Sequence, residues 1–137
     1  MGLIISLVGG LWDAFTGRIP NWLTIGSIVL GLVFHAFTGK MVWCLLGLLA
    51  GIMIYWPFFS LGYMGGGDVK MMGAIGCFAG LEGIIYTALL ASLWGGVMAL
   101  VALIQKKKYI RYGVAIGLGY LTLQVLLWSN WQLPSLY

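Results

Sequence analysis

Asp13 and Asp68 are the side chains of this sequence best suited to carry out chemistry. They are two of only three acidic residues among 137, and each stands beside a break between long apolar stretches. A carboxylate below a membrane surface is costly unless it is wetted, paired or protonated, so it usually marks a functional site. Two neighbouring carboxyls can share one proton. The ionised carboxyl can then take a proton from water while the other donates to a carbonyl oxygen, which hydrolyses a peptide bond without a covalent intermediate.

Each aspartate also has a purely structural interpretation. Asp13 suits a helix end, where it would pair with Arg18. Asp68 suits the N-cap of the helix that follows it, a position that Asp favours. Both interpretations stay open at this point.

No other side chain competes as a nucleophile or a metal ligand. The serines have no partnered base, the sequence contains no HExxH motif, and His35 has no neighbouring metal-type ligand. Cys44 and Cys77 lack CxxC spacing and stand in apolar surroundings, which favours two packing residues over a disulfide. We therefore expect neither a metal nor a cofactor.

The composition indicates that lipid is the solvent of this chain. Hydrophobic residues make up 62% of it and charged residues 7%, against about 25% charged residues in an ordinary soluble domain. The mean hydropathy is +1.05, and the apolar residues run in long blocks, as in membrane helices. The net charge of +4 comes from few, scattered basic residues, so nucleic acid is not expected as a partner.

We predict a single all-α membrane domain over residues 1–137, a polytopic bundle of about six transmembrane helices. Pro20 suits the first helical position of the second segment. Gly65, Gly66 and Gly67 are expected outside the helices, and Glu82 in a loop. The predicted segments are 2–16, 22–38, 41–59, 69–81, 83–104 and 112–130.

The basic residues predict how the bundle is oriented. With six crossings, alternate loops lie on opposite sides, and an excess of Lys and Arg marks the cytoplasmic side. Lys40 falls on one side. The other side holds Arg18, Lys70, Lys106, Lys107, Lys108 and Arg111. This asymmetry predicts that both termini lie on the non-cytoplasmic side of the inner (cytoplasmic) membrane. It also predicts that the breaks beside the two aspartates face the cytoplasm.

The first and fourth segments are too short to cross a bilayer before their aspartates are reached. A helix rises about 17–18 Å from Met1 to Asp13, and the fourth segment rises about 20 Å, against a hydrocarbon thickness of about 30 Å. Counted from the outer face, Asp13 and Asp68 reach similar depths. The two carboxyls are therefore predicted to meet in a shallow recess that is open to the cytoplasm.

The three glycines before Asp68 have a use in this scheme, because glycine lets one backbone approach another and permits positive φ. An extended substrate strand could lie against them, although a plain flexible turn satisfies the same pattern. Lys70 is about 200° around the helix from Asp68 and should point away from the pair. We interpret it as a charge for topology or substrate contact.

Two elements of the sequence resemble the signature motifs of a known family. Asp13 with Arg18-Ile19-Pro20-Asn21, and Gly65-Gly66-Gly67-Asp68-Val69-Lys70, are similar to the motifs of the type IV prepilin peptidases, which are GxGD-type intramembrane aspartyl proteases. Residues 112–119 look like the family's motif at the start of the last helix, with Arg111 where the family usually has proline. The resemblance covers nearly the whole chain.

The resemblance implies that Asp13 and Asp68 are the catalytic pair. It implies cleavage of the short basic leader of prepilins at the cytoplasmic face, with the prepilin and the lipid bilayer as partners. The chain is most similar to the minimal peptidases of tight-adherence (Flp) pilus systems, so no N-methyltransferase activity is expected. Archaeal preflagellin peptidases share the scheme and stay an alternative. The motif residues assigned to substrate binding are Pro20, Asn21, Gly65, Gly66, Gly67 and Lys70.

A second class of function would use the same two aspartates. In a small transporter or ion-conducting protein the pair would bind a proton or a cation. No inverted repeat is detectable in the sequence, and ion binding does not require the two motifs. We therefore favour proteolysis.

Overall fold

The computed structural model describes residues 2–105 and 112–129, and the predicted all-helical class is confirmed over them. Lys106, Lys107, Lys108 and Arg111, which contribute to the predicted orientation, lie outside the described residues. Two helical stretches, Met41–Ser60 and Gly66–Ala102, are long and apolar enough to cross a membrane. The helices are α1 (Gly2–Thr16), α2 (Asn21–Phe37), α3 (Met41–Ser60), α4 (Gly66–Ile104) and α5 (Tyr112–Trp128).

The first two breaks between helices are closed by glycines in the left-handed region. Gly17 follows α1 with a φ of 68°, and Gly39 follows α2 with a φ of 71°. Glycine adopts this conformation without the clash that a Cβ would cause, so it commonly ends helices. The Gly17 N–H donates to the carbonyl oxygen of Asp13 at 2.8 Å, which places Asp13 in the last turn of α1.

The start of α4 differs from the prediction, because two of the three glycines before Asp68 are helical. Gly66 and Gly67 form the first turn of α4, and only Gly65 precedes it. The first N–H groups of a helix have no intrahelical partner, so glycine costs less there than in a helix interior. The prediction for Pro20 was also off by one residue, since Pro20 is the N-cap of α2 and Asn21 is its first residue.

The predicted break at Glu82 lies instead at Gly80. Gly80 has φ 70° and ψ −175°, a conformation that only glycine adopts readily, and Glu82 is an exposed helical residue. A Cβ at position 80 would also overlap the indole ring of Trp43. α4 therefore consists of two helical parts, residues 66–79 and 81–104.

α4 is the central helix and contacts all four of the others. Its contact with α3 is made through glycines, since a Cβ on Gly47 would overlap the carbonyl of Gly76 and one on Gly51 the carbonyl of Met72. Such small residues let two helix backbones approach closely. The interior of the bundle is mostly apolar, with a few buried polar side chains such as Asp13 and Asp68. The outer faces also carry exposed Leu, Ile, Val, Phe and Trp, as expected of a surface in contact with lipid.

Cys44 and Cys77 form a disulfide between α3 and α4, so their interpretation as unlinked packing residues was wrong. The glycine contact explains the link, because it brings the two Cα atoms to 4.0 Å across 33 residues of sequence. His35 is also not isolated in space, since one ring nitrogen and the two sulfurs lie within 4.8 Å of one another. Sulfurs joined in a disulfide do not act as metal-binding thiolates, and His35 Nδ1 hydrogen-bonds the carbonyl of Gly31 at 2.8 Å.

Candidate active site

Asp13 is held where the end of α1 meets the start of α5. Its side chain is only 6% exposed. A Cβ on Gly113 would come within 2.8–2.9 Å of atoms of the Asp13 carboxyl group. The absence of a side chain at position 113 therefore makes room for the Asp13 carboxyl.

Asp68 occupies the third position of α4 rather than the predicted N-cap. Its Oδ2 accepts a hydrogen bond from the N–H of Gly65 at 3.2 Å, and its own N–H donates to the Gly65 carbonyl at 3.1 Å. This is the carboxylate half of a capping box, in which a third-position acid satisfies the backbone of the N-cap residue. The helix dipole also favours a negative charge at this end. The same bonds fix the direction of the Asp68 side chain, which is 8% exposed.

The two aspartates line one cavity, as the predicted recess requires. The cavity has a volume of about 250 Å³, enough for several water molecules. The two carboxyls also interact electrostatically with each other. Two carboxyls on one cavity repel each other when both are ionised, so such a pair can share a single proton. The residues that line the cavity are Asp13, Gly17, Arg18, Ile19, Asn21, Gly65, Gly66, Gly67 and Asp68.

Of the three glycines before Asp68, Gly67 is closely packed, and none has an unusual backbone conformation. A Cβ on Gly67 would stand 3.2 Å from the Cβ of Ile19, and one on Gly66 would stand 3.4 Å from the ring of Phe59. In the described part of the chain, positive φ occurs at Gly17, Gly39, Gly62 and Gly80 and at none of these three. The segment thus gives the cavity a wall of backbone without side chains.

Lys70 lies outside the cavity wall. Its Nζ donates to Oδ1 of Asn21 at 3.0 Å, and Asn21 does line the cavity. Lys70 therefore reaches the site through Asn21. Pro20 lies between two lining residues and is not itself part of the wall.

Sequence reasoning assigned six of the lining residues to the site but not Gly17, Arg18 or Ile19. It also did not assign Gly113, which lies behind Asp13. Ile19 packs on Gly67, and Gly113 packs on Asp13. Gly113 lies in the stretch that resembles the third family motif, so a signal was present, but its contact with Asp13 depends on the packing of α5 against α1. Ile19 carried no chemical signal of its own, because an apolar residue in a turn has many possible partners.

Comparison with known proteins found a family match and a curated relative. Residues 1–100 match the type IV leader peptidase family. Over 113 residues the chain is 29% identical to a prepilin leader peptidase/N-methyltransferase of Neisseria gonorrhoeae, an alignment that covers 76% of this chain and 40% of that protein. The chain therefore spans about two fifths of the length of this curated relative. No solved structure matches it significantly.

Proposed function

Because the chain belongs to the type IV leader peptidase family, we propose that it is a membrane-embedded aspartyl endopeptidase that removes the leader peptide of prepilins. One observation supports the mechanism above all others. Asp13 and Asp68 come from different helices, 55 residues apart in sequence, and line the same cavity. They are also two of the three acidic residues in the chain.

In the proposed reaction the two carboxyls share one proton. The ionised carboxyl takes a proton from a water molecule, and the water oxygen attacks the carbonyl carbon of the scissile bond. The protonated carboxyl donates to the carbonyl oxygen. When the tetrahedral intermediate collapses, the C–N bond breaks and the amine leaves with a proton, so water is consumed and no covalent enzyme intermediate forms.

The cavity wall supplies a place for the substrate beside this pair. Gly65, Gly66 and Gly67 present backbone without side chains, and an extended peptide can approach such a wall closely. Asn21, held by Lys70, lies on the same cavity. We assign these residues to substrate binding, as their motif resemblance implies.

We further propose six membrane crossings with the aspartates at the cytoplasmic face. The excess of basic residues beside the aspartates supports this orientation. The disulfide supports it independently, because disulfides persist in oxidising compartments and are rare on the cytoplasmic side. Cys77 lies nine residues beyond Asp68 on α4, about 13 Å away along the helix. Cys44 lies four residues, or about one helical turn, after Lys40, the N-cap of α3. An Flp-type substrate and the lack of N-methyltransferase activity stay predictions from the resemblance.

The test is processing of a co-expressed prepilin in membranes, resolved on gels at matched expression. We expect the wild-type chain to cleave and Asp13→Asn and Asp68→Asn each to abolish cleavage. Glu82→Gln is the matched control, since it removes the third acidic residue, which is exposed and helical, and should leave cleavage intact. Normal cleavage by either asparagine variant would show that the aspartyl mechanism is wrong. Failure to cleave, combined with aspartate-dependent proton or cation flux in vesicles, would favour a transporter.

A further inference from the structure

Tyr55 is a buried polar residue that the proposed mechanism does not use. It lies on α3 with only 3% of its surface exposed, and within the described residues its hydroxyl has no partner at regular hydrogen-bond geometry. The Ser92 hydroxyl lies nearby and donates to the Ala88 carbonyl at 2.8 Å, but no hydrogen bond of regular geometry joins it to Tyr55. Buried hydroxyls without a partner cost stability and are uncommon, so this one calls for an explanation.

The register between α3 and α4 places Tyr55 at the level of Asp68. Gly47 on α3 packs on Gly76 on α4, and Gly51 packs on Met72. From the first pair to the second, the register thus moves four residues forward on α3 and four residues back on α4. Residues four apart lie on one face of a helix. The next pair in this antiparallel register is Tyr55 and Asp68.

The electrostatic contacts of the hydroxyl agree with that register. The Tyr55 hydroxyl lies within electrostatic range of the Tyr112 hydroxyl and, with a weaker effect, of the Asp68 carboxyl. Tyr112 directly precedes Gly113, which packs on the Asp13 carboxyl. The Tyr55 hydroxyl thus lies near the first turn of α4, which carries Asp68, and near the start of α5, which supports Asp13.

We propose that Tyr55 is a positioning residue for the aspartate pair, whose hydroxyl orients Asp68 by directing its O–H dipole towards that carboxyl. The inference rests on the proposed aspartyl mechanism. Tyr55 is not part of the cavity wall, so it acts through Asp68 and does not touch the substrate. The Gly65 N–H binds Oδ2 of Asp68, and the tyrosine dipole is a second constraint on the same group.

The experiment is a kinetic comparison of the full chain in lipid vesicles, with a prepilin peptide as substrate. Tyr55→Phe removes the hydroxyl and keeps the ring. We expect kcat to fall about tenfold, less than the loss of a donor that touches the reacting atoms, while KM stays unchanged and the thermal unfolding temperature does not fall. Tyr86→Phe, at a half-buried tyrosine on the second part of α4, is the control and should keep the wild-type kcat. An unchanged kcat in Tyr55→Phe, or a change in KM alone, would overturn the proposal.

A second measurement needs no substrate. The infrared carboxyl band of Asp68 is isolated by subtracting the spectrum of Asp68→Asn from that of the wild-type chain in the same vesicles. The proposal predicts that Tyr55→Phe shifts this band and that Tyr86→Phe does not, and a band that does not move in Tyr55→Phe overturns it. If the wild-type chain cleaves no prepilin, the proposed function fails, and the infrared comparison still decides the role of Tyr55.

Discussion

Lys70 on α4 donates a hydrogen bond from Nζ to Oδ1 of Asn21, the first residue of α2, at 3.0 Å. The bond spans 49 residues of sequence and joins the turn that follows Asp13 to the helix that carries Asp68. Both partners are exposed, so the bond contributes little to the free energy of unfolding. Its value lies in geometry, because it holds one side of the cavity against the other.

Removing this bond should slow cleavage without unfolding the protein. We expect Lys70→Met to lower the initial rate by about tenfold or less, because the cavity wall at Asn21 loses its anchor while both carboxyls stay in place. Asn21→Ala should cause a similar loss, and the double variant should be no slower than the slower single variant. Prepilin cleavage by the four chains measures this.

Lys40→Met is the control for the loss of a positive charge, since Lys40 is the exposed N-cap of α3 and does not line the cavity. It should cleave at the wild-type rate. Rate losses that simply multiply in the double variant would show that Lys70 and Asn21 act independently, against the role inferred from their hydrogen bond.

Substitution of Gly113 on α5 should slow cleavage, because this glycine packs on the Asp13 carboxyl. A Cβ there would come within 2.8–2.9 Å of the Asp13 carboxyl group, so Gly113→Ala must displace the carboxyl or the helix. Because a shift of about 1 Å in a reacting group can slow catalysis about a hundredfold, we expect cleavage to fall by about tenfold to a hundredfold. Gly96→Ala is the matched control, since a Cβ there meets no atom within 4 Å. Wild-type cleavage by Gly113→Ala would contradict the close contact with Asp13.

The parts of the fold that the sequence predicted are those with strong local signals. The apolar blocks place the helices, and Gly17 and Gly39 end two of them. The two aspartates could be paired from helix rise and the thickness of a bilayer, and both do line one cavity. These inferences need only local geometry and the thickness of a bilayer.

The parts that could not be predicted depend on contacts between distant residues. The Cys44–Cys77 disulfide needs the close packing of α3 on α4, and no spacing in the sequence reports which helices touch. The charge of Glu82 makes it the expected break, but Gly80 provides the break, since the backbone there requires a residue without a Cβ. Tyr55 gave no signal, because an aromatic residue in an apolar helix is usually a packing residue.

Gly80 should be essential for stability. Gly80→Ala places a Cβ in a backbone region that costs about 1–3 kcal/mol, and that Cβ also overlaps the Trp43 ring. We therefore expect a lower unfolding temperature, measured by circular dichroism in detergent. Gly26→Ala, at a helical glycine with open space around it, should not lower it.

A second substitution separates the two causes. In a Trp43→Ala background the overlap is already removed, so Gly80→Ala adds only the backbone cost. Gly80→Ala should therefore lower the unfolding temperature less in the Trp43→Ala background than in the wild-type background. An unchanged unfolding temperature in Gly80→Ala would contradict the turn described at this position.

The Cys44–Cys77 disulfide should be present in membranes and dispensable for chemistry. Mass spectrometry after alkylation under non-reducing conditions should find both thiols blocked from the reagent, and the same protein from cells that lack extracytoplasmic thiol oxidation should be alkylated twice after unfolding.

The double variant Cys44→Ser, Cys77→Ser should unfold at a lower temperature. The loss in free energy should be at most about 4 kcal/mol for a separation of 33 residues, because helices that stay inserted keep part of the constraint. Cleavage at a temperature where the variant is folded should be near wild type, since the link lies nine residues along α4 from Asp68. Free thiols in normal membranes would contradict both the link and its support for the proposed orientation, whereas loss of cleavage in a folded double variant would show that the link also positions the aspartates.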